Sequence, residues 1–439
     1  MTLPPMLRTA MGSIKDIAER SKEASYQLQN VSSETKNKAL AAIAKELVRR
    51  KQEIFAANKA DVENAKKTGL SAVLVKRLRF DQQKLDEALR SIESLISIED
   101  LVGRLIEKTE LDDGLILEKV TTSIGVIAVV FESRPDALVQ ISTLCIKSSN
   151  AVILKGGSEA ENTNKVLASA INDAIIGVDK RFENAVQMVS TREEIKDLLK
   201  LDGLIDLVIP RGSNELVRSI QESTRIPVLG HAEGICHTYV DKDADVDMAV
   251  SISYDAKCQY PAVCNAMETL LVHKDAASKF LPKMAEKFRS AGVELRGDEK
   301  TRKMIPAKPA TEEDWRTEYN DLVLSIKTVE SIDEAVDHIN RYGSHHTDAI
   351  VTENEATAKK FLSSVDSSSV LWNCSTRFAD GFRYGLGAEV GISTNKTHAR
   401  GPVGLEGLTI YKFRLMGKGH VVSDYVGEKA RKFRHRKLK

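Results

Sequence analysis

The chain has 439 residues, with 64 Lys and Arg against 63 Asp and Glu, which leaves a formal net charge of +1. This balance excludes a global electrostatic bias toward nucleic acid or an anionic membrane, and 42% apolar residues exclude a largely disordered chain. The length predicts about two to three domains. No apolar run reaches the roughly 18 residues of a membrane span, and the first residues lack a secretory signal's apolar core. We therefore expect a cytoplasmic protein with no membrane and no nucleic-acid partner.

Helical patterns dominate the first hundred residues. Leu40, Ile43, Leu47 and Ile54 recur at a spacing that places them on one helix face. Ser33 is the predicted N-cap of that run.

The pattern changes near residue 110. Asp113 and Gly114 suit the positive φ of a tight turn, so the segment around them predicts a β-hairpin. The last candidate strand, 408–413, is a candidate partner for this hairpin.

Between these two segments, strands alternate with helices in two blocks, which predicts parallel sheets covered on both faces. The first block has predicted strands at 125–131, 151–155, 204–210, 227–230 and 238–240, and predicted helices at 159–175 and 213–222. The second block has predicted strands at 269–273, 293–295, 322–327, 349–352 and 370–373, and predicted helices at 245–257 and 275–291. The blocks meet near residue 240, where we expect a cleft.

Two cysteines lie just past this junction, Cys258 and Cys264, with Pro261 between them. We expect a helix after Pro261, which would place Cys264 near a helix N-terminus, where partial positive charge stabilises a thiolate. Lys257 is a further cation in this segment. A single cysteine is nevertheless more often a buried apolar residue than a nucleophile, so the local sequence leaves both roles open. The remaining cysteines are predicted core residues: Cys145, Cys236 and Cys374.

Two glycine-containing turns, 155–159 and 211–214, follow predicted strands and open helices. Glycine lets a ligand approach the backbone, and a helix start offers N–H groups, so each turn suits a phosphate. A plain strand-to-helix turn is an equally good interpretation of either. The G-x-G-x-x-G fingerprint of dinucleotide-binding domains is absent.

The histidines and the C-terminal tail carry no predicted chemistry. His231, His237, His345 and His346 have no carboxylate or cysteine at metal-ligand spacing, so we expect structural histidines and no metal site. The tail 429–439 holds seven Lys or Arg in eleven residues. A solvated, frayed end is the favoured interpretation, and weak contact with phosphate or nucleic acid is the alternative.

Taken together, the longer motifs resemble the γ-glutamyl phosphate reductase family, a branch of the aldehyde dehydrogenase superfamily, essentially from end to end. The matching segments are VVFESRP (129–135), LKGGSE (154–159), PRGS (210–213), HAEGICH (231–237), YPAVCNA (260–266) and HARGPVG (398–404).

The resemblance implies an aldehyde dehydrogenase-like α/β fold in three parts. A doubly wound cofactor domain would use 1–106 and 125–238, and an α/β catalytic domain would use 239–404. A small β oligomerisation flap would combine 107–124 and 405–420, and a basic tail would follow over 421–439. The resemblance also implies a homodimer or a dimer of dimers. Transient contact with glutamate 5-kinase is a further candidate interaction, which the sequence leaves open.

By the same resemblance, the protein would be an enzyme that reduces γ-glutamyl phosphate to glutamate 5-semialdehyde in proline biosynthesis. Cys264 would be the catalytic nucleophile, and Asn265 would help to stabilise the oxyanion. Ser158 stands where NAD-preferring relatives carry glutamate, which predicts NADPH or NADP as the cofactor. Arg134 and Arg400, with Arg211 as a third candidate, would bind the phosphate or the α-carboxylate. The implied cofactor residues are Lys155, Gly156, Gly157, Ser158, Arg211, Gly212 and Ser213.

One position separates this reaction from its main alternative, a hydrolytic NAD(P)-dependent aldehyde dehydrogenase. Hydrolytic members of the superfamily activate water with a glutamate where this chain has His231, and Glu233 lies two residues away. The substitution favours the phosphate-dependent reaction. A catalytically silent relative is a third hypothesis, which the intact segments around Cys264 and Lys155 argue against.

Overall fold

The computed structural model describes residues 13–231 and 233–439. The predicted cofactor domain begins with residues 1–12, and the motif 231–237 contains Ala232; these positions lie outside the described residues. The chain divides into two compact units. The first takes the described residues up to Leu229, with Gly387–Val390 and Gly404–Lys439, and the second takes Gly230–Leu386 and Gly391–Val403. The three-part division inferred from the resemblance stays a prediction.

The described residues contain helices and strands in alternation after an N-terminal helical segment. The α-helices are α1 (Ile14–Leu28), α2 (Ser33–Arg49), α3 (Lys51–Lys67), α4 (Ala72–Leu78), α5 (Gln82–Ser97), α6 (Pro135–Lys147), α7 (Glu161–Val178), α8 (Arg192–Leu198), α9 (Asn214–Ser223), α10 (Val246–Cys258), α11 (Lys274–Ser290), α12 (Glu299–Arg302), α13 (Ile332–Tyr342) and α14 (Glu355–Ser364). The strands are β1 (Leu105–Asp112), β2 (Leu115–Ser123), β3 (Val126–Phe131), β4 (Ala151–Lys155), β5 (Val186–Met188), β6 (Leu207–Arg211), β7 (Cys236–Val240), β8 (Met267–His273), β9 (Glu294–Gly297), β10 (Lys308–Pro309), β11 (Val323–Val329), β12 (Thr347–Val351), β13 (Ser369–Trp372), β14 (Ile392–Ser393), β15 (Gly401–Pro402), β16 (Thr409–Met416) and β17 (Arg436–Lys437).

The N-terminal helices bury the apolar face that the sequence predicts. Leu40, Ile43, Leu47 and Ile54 are fully buried, as predicted. The single helix predicted through all four is wrong, because α2 ends at Arg49 and Ile54 lies on α3. The predicted N-cap is wrong by one residue, because the side chain of Ser32 accepts the hydrogen bond from the backbone N–H of Thr35 and Ser33 is the first helical residue. None of the helices in the described ranges combines the length and apolar character needed to cross a bilayer.

The first unit contains a four-stranded parallel sheet in the order β5-β4-β3-β6. Every residue of β3 is buried, as expected of a central strand in a covered parallel sheet. The predicted strand 227–230 is wrong: only Val228 forms an isolated bridge, to Val208. Pro227 has no N–H to donate, so this segment cannot continue a ladder.

The second sheet of the first unit is antiparallel, in the order β16-β2-β1-β17. The predicted hairpin is confirmed, with Gly114 at φ +69° between β1 and β2. The predicted pairing of the last long strand is also confirmed, since β16 pairs with β2 along eight residues. Whether this sheet mediates oligomerisation stays a prediction.

The basic tail is ordered, so the expectation of a frayed end is wrong. Its strand β17 pairs with β1, and Arg436 lies 2.7 Å from the carboxylate of Glu110. Arg431 and Arg434 both form ion pairs with Asp112. Composition alone reveals the tail's positive charge but not the acidic strand that balances it.

The second unit contains a seven-stranded parallel sheet in the order β10-β9-β11-β8-β7-β12-β13. The strand predicted at 238–240, which the sequence assigned to the first block, is β7 of this sheet and pairs with β8 and β12. Buried strands of any parallel sheet have the same apolar character, so the sequence pattern identifies such a strand but not its neighbours.

Candidate active site

The segment that carries Cys264 is a turn between α10 and β8, not the start of a helix. The predicted helix N-terminus after Pro261 is therefore wrong. Lys257 does not contribute a cation there either, because its ammonium lies 2.6 Å from the Glu268 carboxylate and both side chains are fully buried. The environment of the half-buried thiol is instead set by other segments of the second unit.

Two residues pack directly on the backbone of Cys264: Cys236, the first residue of β7, and Gly234, two residues before that strand. A Cβ atom on Gly234 would lie 2.2 Å from the Cys264 carbonyl oxygen, so only glycine fits there. The Cys236 thiol donates a hydrogen bond to the same carbonyl at 3.1 Å. The backbone of the turn that carries Cys264 is thus held in place by a segment about thirty residues earlier in the chain.

Two histidines from distant segments lie beside the thiol. One ring nitrogen each of His231 and His346 and the Sγ of Cys264 all lie within 4.8 Å of one another. The two rings meet edge to face, with their centroids 4.7 Å apart. Sequence spacing predicted no such cluster, because the three residues meet only through the tertiary fold.

Neighbouring oxygen atoms orient both imidazoles. The Nδ1 of His231 lies 2.7 Å from the Ile392 carbonyl, which can only accept, so Nδ1 carries the proton and the lone pair of the neutral ring is on Nε2. His346 is fully buried, with Nδ1 2.9 Å from the hydroxyl of Thr347. Its Nε2 has no hydrogen-bond partner among the described residues.

A buried guanidinium, missed by the sequence analysis, is electrostatically coupled to the thiol. Arg377 lies in a short 3-10 turn after β13, is only 8% exposed, and donates from Nε to the Gln259 side chain at 3.0 Å. Burial lowers the pKa of Arg377, while the charge of a Cys264 thiolate raises it. Among the residues that the structure describes, Arg377 has no ion-pair partner. Its position just beyond a predicted strand was the signal that could have revealed it.

Asn265, predicted to stabilise the oxyanion, is almost fully buried beside the thiol. Its Nδ2 donates to the Ala379 carbonyl at 2.9 Å, and its Oδ1 has no partner in the described part of the chain. One amide proton is therefore committed to holding the turn, and the predicted role of Asn265 at the oxyanion stays a prediction.

The other four cysteines are poor nucleophiles. Burial raises the thiol pKa in each of them: Cys145, Cys236, Cys258 and Cys374. Cys145 and Cys236 are core residues as predicted, whereas Cys374 is partly exposed.

In the first unit, the candidate cofactor residues share one edge of the parallel sheet. The turn 155–158 follows β4 and the turn 211–213 follows β6, on either side of β3. Two carboxylates that follow β3 and β4 fix these turns: Glu132 accepts from the Ser213 N–H at 2.9 Å, and Glu159 accepts from the Ser133 N–H and hydroxyl at 2.7 Å each. Ligands of doubly wound folds bind at such carboxyl ends.

This edge fits a dinucleotide. Lys155 is half-buried, and its ammonium has no hydrogen bond or ion pair within the described ranges. The side chain of Asn164 lies against Gly156, and its buried Oδ1 has no partner there. The Ser158 side chain is exposed, and the nearest carboxylate in the sequence, Glu159, is held by Ser133. A cation, an unsatisfied acceptor and a free hydroxyl suit the hydroxyl and phosphate groups of a nucleotide.

The structure divides the three candidate arginines between the units. Arg134 and Arg211 belong to the first unit, where Arg134 lies 3.0 Å from Asp136 and Arg211 reaches the Glu389 carbonyl at 3.5 Å. Arg400 belongs to the second unit and pairs with Asp366 at 3.0 Å. Their proposed roles in substrate binding stay predictions.

Comparison with known proteins gives matches over almost the whole chain. The model of the aldehyde dehydrogenase family matches residues 8–310. A γ-glutamyl phosphate reductase of Pelotomaculum thermopropionicum is 57% identical over 427 residues, 97% of this chain and 98% of that protein. A γ-glutamyl phosphate reductase of Methanosarcina mazei is 55% identical over 429 residues, 95% of this chain and 96% of that protein.

Solved structures give the same result. The crystal structure of γ-glutamyl phosphate reductase from Thermotoga maritima superposes with a TM-score of 0.91 at 42% identity, over 93% of this chain and 100% of that one. An acetylating aldehyde dehydrogenase from Geobacillus thermoglucosidasius has a TM-score of 0.66 at 15% identity, over 93% and 97%. This second likeness concerns the fold alone, which is the α/β type predicted from the sequence.

Proposed function

We propose a reaction from the premise that this chain belongs to the aldehyde dehydrogenase family and, within it, to the γ-glutamyl phosphate reductases. It reduces L-γ-glutamyl 5-phosphate to L-glutamate 5-semialdehyde and releases phosphate, a step of proline biosynthesis. The observation that carries the chemistry is the group formed by Cys264, His231 and His346, which contains no carboxylate among the described residues.

In the first step, the Cys264 thiolate attacks the γ-acyl carbon and the bond to the phosphate oxygen breaks, which leaves a thioester and inorganic phosphate. Phosphate is a good leaving group, so this step needs no strong general acid. Arg377 is the buried cation coupled to the thiol, and its guanidinium suits the bidentate binding of a phosphate or carboxylate. The second amide proton of Asn265 and neighbouring backbone N–H groups stabilise the oxyanion.

The edge formed by the turns after β4 and β6 holds the cofactor, with Lys155, Ser158 and Ser213 as its polar side chains. When bound, NADPH supplies the hydride that reduces the thioester carbon. The exposed hydroxyl of Ser158 supports NADP over NAD, because a carboxylate at this position would repel a 2′-phosphate whereas a hydroxyl donates to it.

After reduction, the thiohemiacetal on Cys264 loses its hydroxyl proton, the carbon–sulfur bond breaks, and the aldehyde leaves with the thiolate restored. His231 lies close enough to Cys264 to exchange a proton with the sulfur through Nε2. The glutamate that activates water in hydrolytic relatives is replaced here by His231, which supports this reaction over a hydrolytic aldehyde dehydrogenase.

The predicted partners remain part of the proposal. An acyl phosphate hydrolyses readily in water, which supports transient contact with the kinase that makes it. The edge strand β16 exposes Tyr411, Phe413 and Leu415, which supports its pairing with another subunit in a homodimer or a dimer of dimers.

The reverse reaction tests the proposal. Purified protein is supplied with glutamate 5-semialdehyde and NADP+, and reduced nicotinamide is followed by absorbance with and without inorganic phosphate. We expect strict dependence on phosphate, because phosphate must attack the thioester to release it. Turnover without phosphate would mean that water resolves the thioester and that the chain is a hydrolytic enzyme.

A further inference from the structure

The group formed by Cys264, His231 and His346 has the composition of a metal site. Its three ligand atoms lie within 4.8 Å of one another, and it combines one thiolate with two imidazoles. Tetrahedral Zn²⁺ bound by thiolate and imidazole requires ligand atoms about 3.5 Å apart, given bond lengths of about 2.3 Å to sulfur and 2.0 Å to nitrogen. Small side-chain rotations therefore suffice to close the triangle.

The surroundings of both imidazoles match those of metal-bound histidines. A ligating histidine usually donates its second ring N–H to a carbonyl or another acceptor, which fixes its orientation. His231 does so through Nδ1 to the Ile392 carbonyl at 2.7 Å. The Nδ1 of His346 lies 2.9 Å from the Thr347 hydroxyl, and donation to that oxygen leaves the lone pair on Nε2.

A second observation points independently to a ligand. The Nε2 of His346 is buried and has no hydrogen-bond partner among the described residues, although buried polar atoms nearly always have one. A cation beside Nε2 would satisfy it.

We infer that this group is a binding site for a soft divalent cation, Zn²⁺, which caps the thiol reversibly. Binding releases the thiol proton to solvent and forms a sulfur–zinc bond, with no change in oxidation state. Three protein ligands leave a fourth position for water or a substrate oxygen. The nearby guanidinium of Arg377 opposes the cation, so the metal is expected to exchange rather than to be held permanently.

The consequence for activity rests on the proposed function: if Cys264 is the nucleophile, bound Zn²⁺ inhibits the reductase. Inhibition would be relieved by a chelator. Metal binding itself does not depend on that assignment, and it can be measured without turnover.

Co²⁺ titration of the full chain provides the direct test, because tetrahedral Co²⁺ has intense visible bands and a thiolate adds a charge-transfer band in the near ultraviolet. We expect both in the wild type and in the matched control Cys258→Ser. Cys264→Ala should lose the charge-transfer band, and His346→Gln should weaken Co²⁺ binding at least about tenfold. Persistence of the charge-transfer band in Cys264→Ala would overturn the inference.

A second test uses the wild type alone and therefore does not depend on the folding of a variant. The protein is alkylated with iodoacetamide, and the labelled cysteines are identified by peptide mass spectrometry. Zn²⁺ should protect Cys264 and leave the slower labelling of the half-buried Cys258 unchanged. Equal labelling of Cys264 with and without Zn²⁺ would refute the site. Binding without inhibition would instead support the site and contradict the assignment of Cys264 as the nucleophile.

Discussion

The proposed cofactor edge of the first unit, which is formed by the turns 155–158 and 211–213, and the thiol centre of the second unit, which is formed around Cys264, are built in different ways. The edge is made from turns that directly follow β4 and β6, and the carboxylates of Glu132 and Glu159 hold its backbone. The thiol centre is made from side chains that come from separate segments of the second unit. A site made from local turns is visible in a short motif, whereas a site made from distant side chains is visible only in the fold.

Substitution of Cys264 should have the largest effect on activity. It should abolish the function of the thiol centre and leave that of the cofactor edge intact. Cys264→Ala should reduce turnover by at least about 10⁴-fold, because no other thiol replaces the nucleophile. NADPH binding, followed by quenching of intrinsic fluorescence, should be unchanged. The matched control is Cys258→Ser, which should keep most of its activity; appreciable reductase activity in Cys264→Ala would refute the assignment.

Removal of the buried guanidinium should give the next largest effect. Arg377→Gln should lower kcat/KM by about 100-fold, because a positive charge is lost where anionic oxygen develops or binds. Arg383, a more exposed arginine of the same region, is the matched control. Steady-state kinetics in the reverse direction over a range of phosphate concentrations would show whether the loss lies in KM for phosphate or in kcat. Unchanged constants would remove Arg377 from the site.

A substitution at the cofactor edge should change the preference between NADPH and NADH more than the turnover rate. Ser158→Glu should shift the preference from NADPH toward NADH at least about tenfold, because the carboxylate repels the 2′-phosphate and accepts from a ribose hydroxyl. The ratio of kcat/KM for the two cofactors is the measurement. Ser158→Ala is the control for loss of the hydroxyl alone, and an unchanged ratio in Ser158→Glu would place the 2′-phosphate elsewhere.

The smallest effect concerns the stability of the second unit. Burial, with the charges of His237, Lys327 and Arg341, lowers the pKa of His338 from 6.5 to about 2. In the unfolded chain the imidazole of His338 is therefore protonated as the pH falls below about 6.5, whereas in the folded chain it stays neutral down to about pH 2. His338 thus favours folding above pH 6.5, and this contribution is lost progressively as the pH falls.

His338→Phe keeps an aromatic ring among Trp315 and Tyr342 and removes the titrating group. The free energy of unfolding of the wild type should fall below pH 6.5 more steeply than that of the variant, by about 1.4 kcal/mol per pH unit. Denaturant unfolding at pH 7.5, 6 and 5 measures the difference. His345→Gln, at a partly exposed position, is the control, and parallel pH profiles for wild type and His338→Phe would contradict the buried neutral imidazole.

The fold type, the family, the hairpin with its partner strand β16, and the turns at the sheet edge were all predictable from the sequence. These features depend on contiguous patterns: apolar periodicity, turn residues, and motifs whose backbone is fixed by adjacent strands. The assignment of Cys264 as the nucleophile comes from the resemblance and stays a prediction, since the helix N-terminus predicted around it is not there.

The side chains that surround the Cys264 thiol could be identified only from the three-dimensional fold. His346 and Arg377 follow Cys264 by 82 and 113 residues, and no local pattern links them, because parallel strands that are neighbours in a sheet need not be neighbours in the chain. For the same reason the sequence placed β7 in the wrong block. Its residues resemble those of any buried strand, and only its pairing with β8 and β12 shows to which sheet it belongs. The C-terminal tail is a further example. Its positive charge is visible in the sequence, but the acidic residues of β1 that bind it lie more than 300 residues earlier in the chain.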